Sequence, residues 1–286
     1  MNIADSSAVL QDRVLVQHQA ALSVIRSFTQ DPSRDEVVWL DLACGRGQIL
    51  VNVENAIPQE RRAKISYIGV DISNAYAREA KERASQLFGS ARVEVCDIQH
   101  FERVLGNAET FHIITFTNTA HEIHPEDLAD ALVSLLCRLA PSGCLFAYDM
   151  ERLPVPELGA VPWKGVEMEK IFHAILRRIG VQESALPDVA VWPHRTCSCW
   201  NLQLHRHHID IDDLSALRNE MTLAATTVIR EILGEKLIEV YTALSTACEY
   251  GCETEAERTA VEALLFEFWA LARALGLPFD PGKGLN

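Results

Sequence analysis

Three apolar runs in this sequence each end in residues suited to holding a nucleoside, and a fourth ends in groups suited to moving a proton. Residues 40–50 read Leu-Asp-Leu-Ala-Cys-Gly-Arg-Gly-Gln-Ile-Leu, a strand-like run that closes in a small-residue turn and opens a helix. Small residues at Ala43, Gly45 and Gly47 let a backbone approach a ligand closely, because a larger side chain would occupy its space. Twenty-four residues beyond Gly47, the run Tyr67-Ile68-Gly69-Val70 ends in Asp71, whose carboxylate can take two hydrogen bonds from a ribose diol. A third run ends in Cys96-Asp97-Ile98, where a carboxylate can accept a bond from an adenine amino group. The fourth is followed by Thr117-Asn118-Thr119-Ala120-His121-Glu122-Ile123-His124, which brings two imidazoles and a carboxylate together. Independent turns would rarely produce such a series, so a nucleoside-binding sheet is expected.

The elements that must carry these residues alternate. Short β-rich runs at Val37–Leu42, Ser66–Val70, Val93–Cys96, Phe111–Thr117 and Cys144–Tyr148 are separated by helix-prone stretches at 74–88 and 125–139. That alternation implies a parallel sheet covered by helices on both faces, an α/β fold. The 125–139 stretch opens with Pro and two acids and is expected to stop at Ala140-Pro141-Ser142-Gly143. A helix is expected over 8–28, a loop over 150–163, a helix over 167–179, and a strand pair at 188–192 and 196–209. From Leu214 onward the pattern is helical, in two segments at 214–247 and 255–275. The expected segments are a helical cap (1–34), an α/β domain (35–210) with an insertion at about 151–187, and a helical appendage (211–286) that packs on the sheet domain or self-associates.

Composition narrows the function. The formal charge of −14 repels polyanions. The stretch 151–209, with 7 Lys and Arg against 6 Asp and Glu, is the least acidic part. Eight cysteines spread over 286 residues do not form a disulfide framework, so a reducing, cytoplasmic setting is expected. No apolar run is long enough for a membrane span, and the first residues lack the basic start and apolar middle of a signal peptide.

Four motifs carry a family likeness: Asp41–Gly47 (DLACGRG), Gly69–Ser73 (GVDIS), Val95–Ile98 (VCDI) and Leu139–Leu145 (LAPSGCL). With them, the sequence resembles the class I S-adenosylmethionine-dependent methyltransferases over about residues 35–209. One departure is Ala43, where the family often has its first glycine. The resemblance implies a Rossmann-like, doubly wound, seven-stranded sheet, mostly parallel with a C-terminal antiparallel hairpin. It implies S-adenosyl-L-methionine as cofactor, with Asp41 orienting the loop and reaching the methionine end. Ala43, Gly45 and Gly47 would let the cofactor lie across the turn, Asp71 would hold the ribose hydroxyls, and Asp97 with Ile98 would bracket the adenine. Cys44, Ile72, Thr117 and Asn118 complete the implied cofactor set. A dinucleotide dehydrogenase would explain the glycines and Asp71, but explains Asp97 and the terminal hairpin poorly.

The implied chemistry is in-line displacement at a sulfonium methyl, so the protein supplies alignment and removal of the nucleophile's proton. His121 or His124 then suits a general base, and Glu122 either orients an imidazole or meets a substrate cation. His124-Pro125-Glu126-Asp127 equally reads as a helix entry. Amino-directed nucleic-acid methyltransferases follow an Asn or Asp here with Pro-Pro and an aromatic residue. Thr119-Ala120-His121 departs from that pattern and argues against adenine methylation in DNA.

No metal is expected. Cys197, Cys199, His205 and His207 would share one strand face, but Cys199 and His205 would be ~20 Å apart, too far for one ion. His121 and His124 have no evident third ligand. Trp163, Trp192, Trp200 and Phe172 either wall a planar substrate or pack in the core. The preferred reading is transfer to an oxygen or nitrogen nucleophile of a small molecule. The alternatives are a protein or structured-RNA acceptor docking through 151–209, and a non-catalytic domain whose acidic helices engage partners or form a homodimer.

Overall fold

The computed structural model describes residues 16–106, 109–153, 157, 159–194, 197–250 and 254–277. A seven-stranded sheet runs in the order β3-β2-β1-β4-β5-β7-β6. Its strands are β1 (Val37–Leu42), β2 (Ile65–Asp71), β3 (Ser90–Val95), β4 (Phe111–Thr117), β5 (Leu139–Met150), β6 (Val189–His194) and β7 (Cys197–His205). β1 pairs in parallel with β2 and β4, β2 with β3, and β4 with β5. β6 and β7 are joined by two residues, a connection only an antiparallel pair can make.

Nearly every residue of β1 and β2 is buried, which is why they read as continuous apolar runs rather than alternating ones. Parallel register brings strand ends to one edge. Leu42 stands beside Val70 and Phe116, and Asp71 beside Val95, so the loops that follow β1, β2 and β3 emerge together.

The helices are α1 (Val16–Gln30), α2 (Gln48–Ala56), α3 (Gln59–Arg62), α4 (Asn74–Leu87), α5 (Pro125–Cys137), α6 (Gly165–Arg178), α7 (Arg218–Tyr250) and α8 (Glu255–Ala274). The start of the helix expected from residue 8 lies outside the described residues; its described part packs on α2 and β4. Among the described residues no helix is long and apolar enough to cross a membrane.

One expectation is corrected. The segment Ala140–Gly143, read as the stop that precedes a strand from Cys144, is itself part of the fifth strand: Phe111 pairs with Leu139 and Ile113 with Cys144, so the Pro-Ser-Gly stretch is accommodated as a register shift. The chain also forms two compact units whose segments interleave: 1–117, 134–148 and 201–214 in one, and 118–133, 149–200 and 215–286 in the other.

In the first unit an aromatic cluster supports the central strands. Trp39 and Tyr67 meet edge to face at 5.0 Å, and Tyr67 stacks on Phe88 at 5.3 Å. In the second unit α6 packs on α7, and α7 on α8. Lys236 and Glu167 form a buried ion pair at 3.0 Å there, and Glu167 also accepts the Lys164 backbone N–H at 2.7 Å. Trp163, Trp200 and Phe172 are fully buried, and the Trp200 indole N–H donates to the Trp163 carbonyl at 2.8 Å. These three are core residues, not an exposed wall.

Candidate functional site

The loop after β1 is held from below by a buried polar network. The Trp39 indole N–H donates to Thr115 Oγ1 at 2.8 Å, the Thr115 hydroxyl donates to Asp41 Oδ1 at 2.6 Å, and the Tyr67 hydroxyl donates to Asp41 Oδ2 at 2.8 Å. Asp41 therefore ties β1 to β2 and β4. Burial raises its carboxyl to about pH 6 against the lowering effect of the Thr115 and Tyr67 bonds. Both oxygens are engaged inside the protein, so Asp41 supports the loop above it.

That loop needs unusual backbone. Ala43, Gly45 and Gly47 all have positive φ, at 52°, 55° and 76°. The two glycines adopt this freely, whereas Ala43 carries a steric cost. Ala43→Gly should therefore raise stability by about 0.5–1 kcal/mol, the left-handed strain removed less the added freedom of the unfolded chain. A higher melting temperature checks this, and a lower one would show that the Ala43 methyl is held by packing that outweighs the strain. Cys44 is buried, and burial pushes its thiol well above the ordinary value, so it is no nucleophile.

Asp71 sits at the end of β2 and reaches across to this loop. Its Oδ2 accepts the Gly45 N–H and its Oδ1 the Ser73 N–H, both at 2.8 Å. Each oxygen keeps a lone pair for a further donor. Burial, set against these two bonds, raises the Asp71 carboxyl above its usual range. Next to it Ile72 is 71% exposed, and Val95 at the end of β3 is 50% exposed. Two bare apolar side chains beside an anchored carboxylate suit a purine and its ribose. Asp97 accepts the Gln99 N–H at 3.0 Å and caps the short 3-10 helix Ile98–Val104; both Asp97 and Ile98 are half-buried. Thr117, half-buried, closes β4.

A second cluster belongs to the second unit. Asn118 turns the chain with φ 54°, a conformation Asn tolerates better than most residues. His121 follows, buried and pinned on three sides. Asp149 Oδ2 accepts its backbone N–H at 3.0 Å, its carbonyl accepts the Val161 N–H at 2.9 Å, and its Nδ1 lies 2.8 Å from Asp149 Oδ1. Asp149 is itself fully buried and further fixed by the Met150 N–H at 2.7 Å. The other ring nitrogen, Nε2, lies 3.8 Å from Glu122 Oε1 and 3.8 Å from Glu157 Oε2. Burial alone would lower the imidazole; the charge and hydrogen bond of Asp149, with Glu122 and Glu157, outweigh it and carry the ring up to about pH 9.

His124 does not join this cluster. Its carbonyl accepts the N–H groups of Asp127 and Leu128, and its Nδ1 lies 3.9 Å from Glu126, so it serves as the entry to α5. The structure therefore brings together His121 and Glu122 of the expected trio. Asp149 and Glu157 were not expected. Asp149 carried a signal, an acid at the end of an apolar strand like Asp71, whereas the sequence around Glu157 shows no periodicity that would mark it. The rings of His205, His207 and His208 pack on one another at 4.3–5.9 Å, and among the described residues no three-ligand group forms there.

Residues 40–143, which span the β1 loop, Asp71 and Asp97, match the family described as methyltransferase domain. Residues 40–143 carry a methyltransferase domain. No curated protein matches the sequence. Among solved structures it is similar to the magnesium protoporphyrin IX methyltransferase of Synechocystis PCC 6803 with bound SAM. That match has 16% identity and a TM-score of 0.44, over 66% of this chain and 79% of that one. A plantazolicin methyltransferase in complex with a desmethylPZN analog and SAH gives 15% identity and a TM-score of 0.47, over 66% and 85%. The PH0226 protein from Pyrococcus horikoshii OT3 gives 17% and 0.42, over 67% and 92%. At such scores nothing about the acceptor of this methyltransferase domain follows from them.

Proposed function

We propose that this methyltransferase transfers the methyl group of S-adenosylmethionine to an oxygen or nitrogen nucleophile of a small molecule. The observation that carries the cofactor reading is Asp71, tied to the backbone of the left-handed loop and flanked by the exposed Ile72. In this reading Asp71 accepts the ribose hydroxyls, Ile72 and Ile98 meet the two sides of the adenine, and Asp97 accepts from its amino group. The backbone at Ala43, Cys44, Gly45 and Gly47 lies against the cofactor, with Asp41 holding that loop in shape and Thr117 and Asn118 completing the set. The cofactor supplies a methyl group on a positively charged sulfur, which departs as a neutral thioether.

His121 and Glu122 serve the acceptor. With Nδ1 held by Asp149, Nε2 is the ring nitrogen that exchanges a proton with the acceptor; because the ring titrates at about pH 9, it is the neutral ring, more abundant as pH rises, that takes the proton, and Asp149 stabilises the ring once it is charged. His124 takes no direct part. A small acceptor is favoured over nucleic acid by the charge of −14, which opposes docking of a polyanion.

The test is transfer of labelled methyl groups to a panel of hydroxyl- and amine-bearing small molecules, with structured RNA and unfolded protein in parallel. Label on small molecules alone is expected. Label on RNA or protein, and none on the panel, would overturn the acceptor class.

A further inference from the structure

We infer that His121 Nε2, Glu122 Oε1 and Glu157 Oε2 form a site for one divalent transition cation of the zinc or manganese kind. These three ligand atoms lie within 4.8 Å of one another, and among the described residues this is the one such group of His, Cys, Asp and Glu side chains. Nε2 stands 3.8 Å from each carboxylate oxygen. Tetrahedral coordination with bonds of about 2.0–2.2 Å spaces neighbouring ligand atoms about 3.4 Å apart. Closing the difference needs only small rotations of two long side chains that are 62% and 41% exposed, while the imidazole stays where it is.

A second feature points the same way. Asp149 grips Nδ1 from the buried side and is itself held by two backbone N–H groups, so Nε2 is fixed toward the two glutamates. A metal-binding imidazole is typically oriented in this way, by a carboxylate on its other nitrogen. Three carboxylates around one imidazole keep the cluster anionic whether or not the ring is charged. Mixed imidazole and carboxylate ligands suit zinc, manganese or ferrous ions better than magnesium or calcium, which prefer oxygen alone. Three protein ligands leave positions open on the exposed side, the arrangement of a catalytic rather than a structural ion. Glu157 follows His121 in the chain with α5 and β5 between them, which is why no spacing in the sequence reveals it as the third ligand.

This inference rests on the proposed function only in giving the cluster to the acceptor. In the ion-free protein Nε2 takes the acceptor's proton; with an ion bound there, the ion does the equivalent work, since a hydroxyl coordinated to it releases its proton to solvent more readily.

The full chain, stripped with a chelator and dialysed, would be titrated calorimetrically with zinc chloride and with manganese chloride. S-adenosylhomocysteine would be titrated into the same preparations. Wild type would be compared with Glu122→Gln and Glu157→Gln, exposed substitutions that keep side-chain shape. One equivalent of at least one ion is expected to bind, with affinity lowered tenfold or more in each variant. Absence of binding, or equal binding by wild type and both variants, would overturn the site. Cofactor-product binding without ion binding would sink this inference alone, and the reverse would sink the cofactor reading alone.

Discussion

His121→Ala is expected to lower kcat by about 10²–10⁴-fold, the usual contribution of a positioned proton-transfer group, while affinity for S-adenosylhomocysteine stays within about twofold. The split follows from where the residue sits. His121 and its partners Asp149, Glu122 and Glu157 form one cluster, and none of them takes part in the hydrogen bonds around Asp71. The substitution leaves Asp149 buried with backbone donors only, so some loss of stability accompanies it. Asp149→Asn separates the two effects. It keeps the volume and one acceptor but removes the charge that fixes the ring, and should lower kcat less than His121→Ala without weakening cofactor binding. Steady-state kinetics with the identified acceptor, together with calorimetry, checks both variants. Full activity in His121→Ala would remove it from the chemistry, and a parallel loss of cofactor affinity would mean that it acts through the fold.

Asp71→Ala is expected to weaken S-adenosylhomocysteine binding by about 10–150-fold, which corresponds to losing charge-assisted hydrogen bonds of about 1.5–3 kcal/mol. Two contributions combine. The ribose hydroxyls lose their acceptor, and the Gly45 and Ser73 N–H groups lose the carboxylate that sets the loop. Asp71→Asn retains one acceptor for those donors and should give an intermediate affinity. Calorimetry reads both, and unchanged affinity in Asp71→Ala would place the cofactor elsewhere.

Much of this was written in local sequence. The central strands read as unbroken apolar runs because both faces are buried, and the acids at the end of β2 and just beyond β3 stood out against them. Ala43, Gly45 and Gly47 announced a turn, although sequence did not show that Ala43 bears a left-handed backbone, since only glycine advertises that. Other features depended on contacts between distant residues. Pro141 and Gly143 look like a stop signal, yet pairing between β4 and β5 absorbs them into the strand. His121 and His124 look equivalent in sequence; Asp149, 28 residues on, decides between them. Glu157 follows no periodicity and becomes significant only by proximity to Nε2. The grouping of 118–133 with 149–200 and the C-terminal helices is likewise a matter of packing, exemplified by Lys236 on α7 reaching Glu167 on α6.

The measurement that bears most directly on the central claim is calorimetric titration of the purified, ligand-free protein with S-adenosylmethionine and S-adenosylhomocysteine, with NAD as control. Saturable one-to-one binding of both methionine nucleosides and none of NAD is the predicted result. A folded protein that binds neither, or that binds NAD instead, would contradict the account.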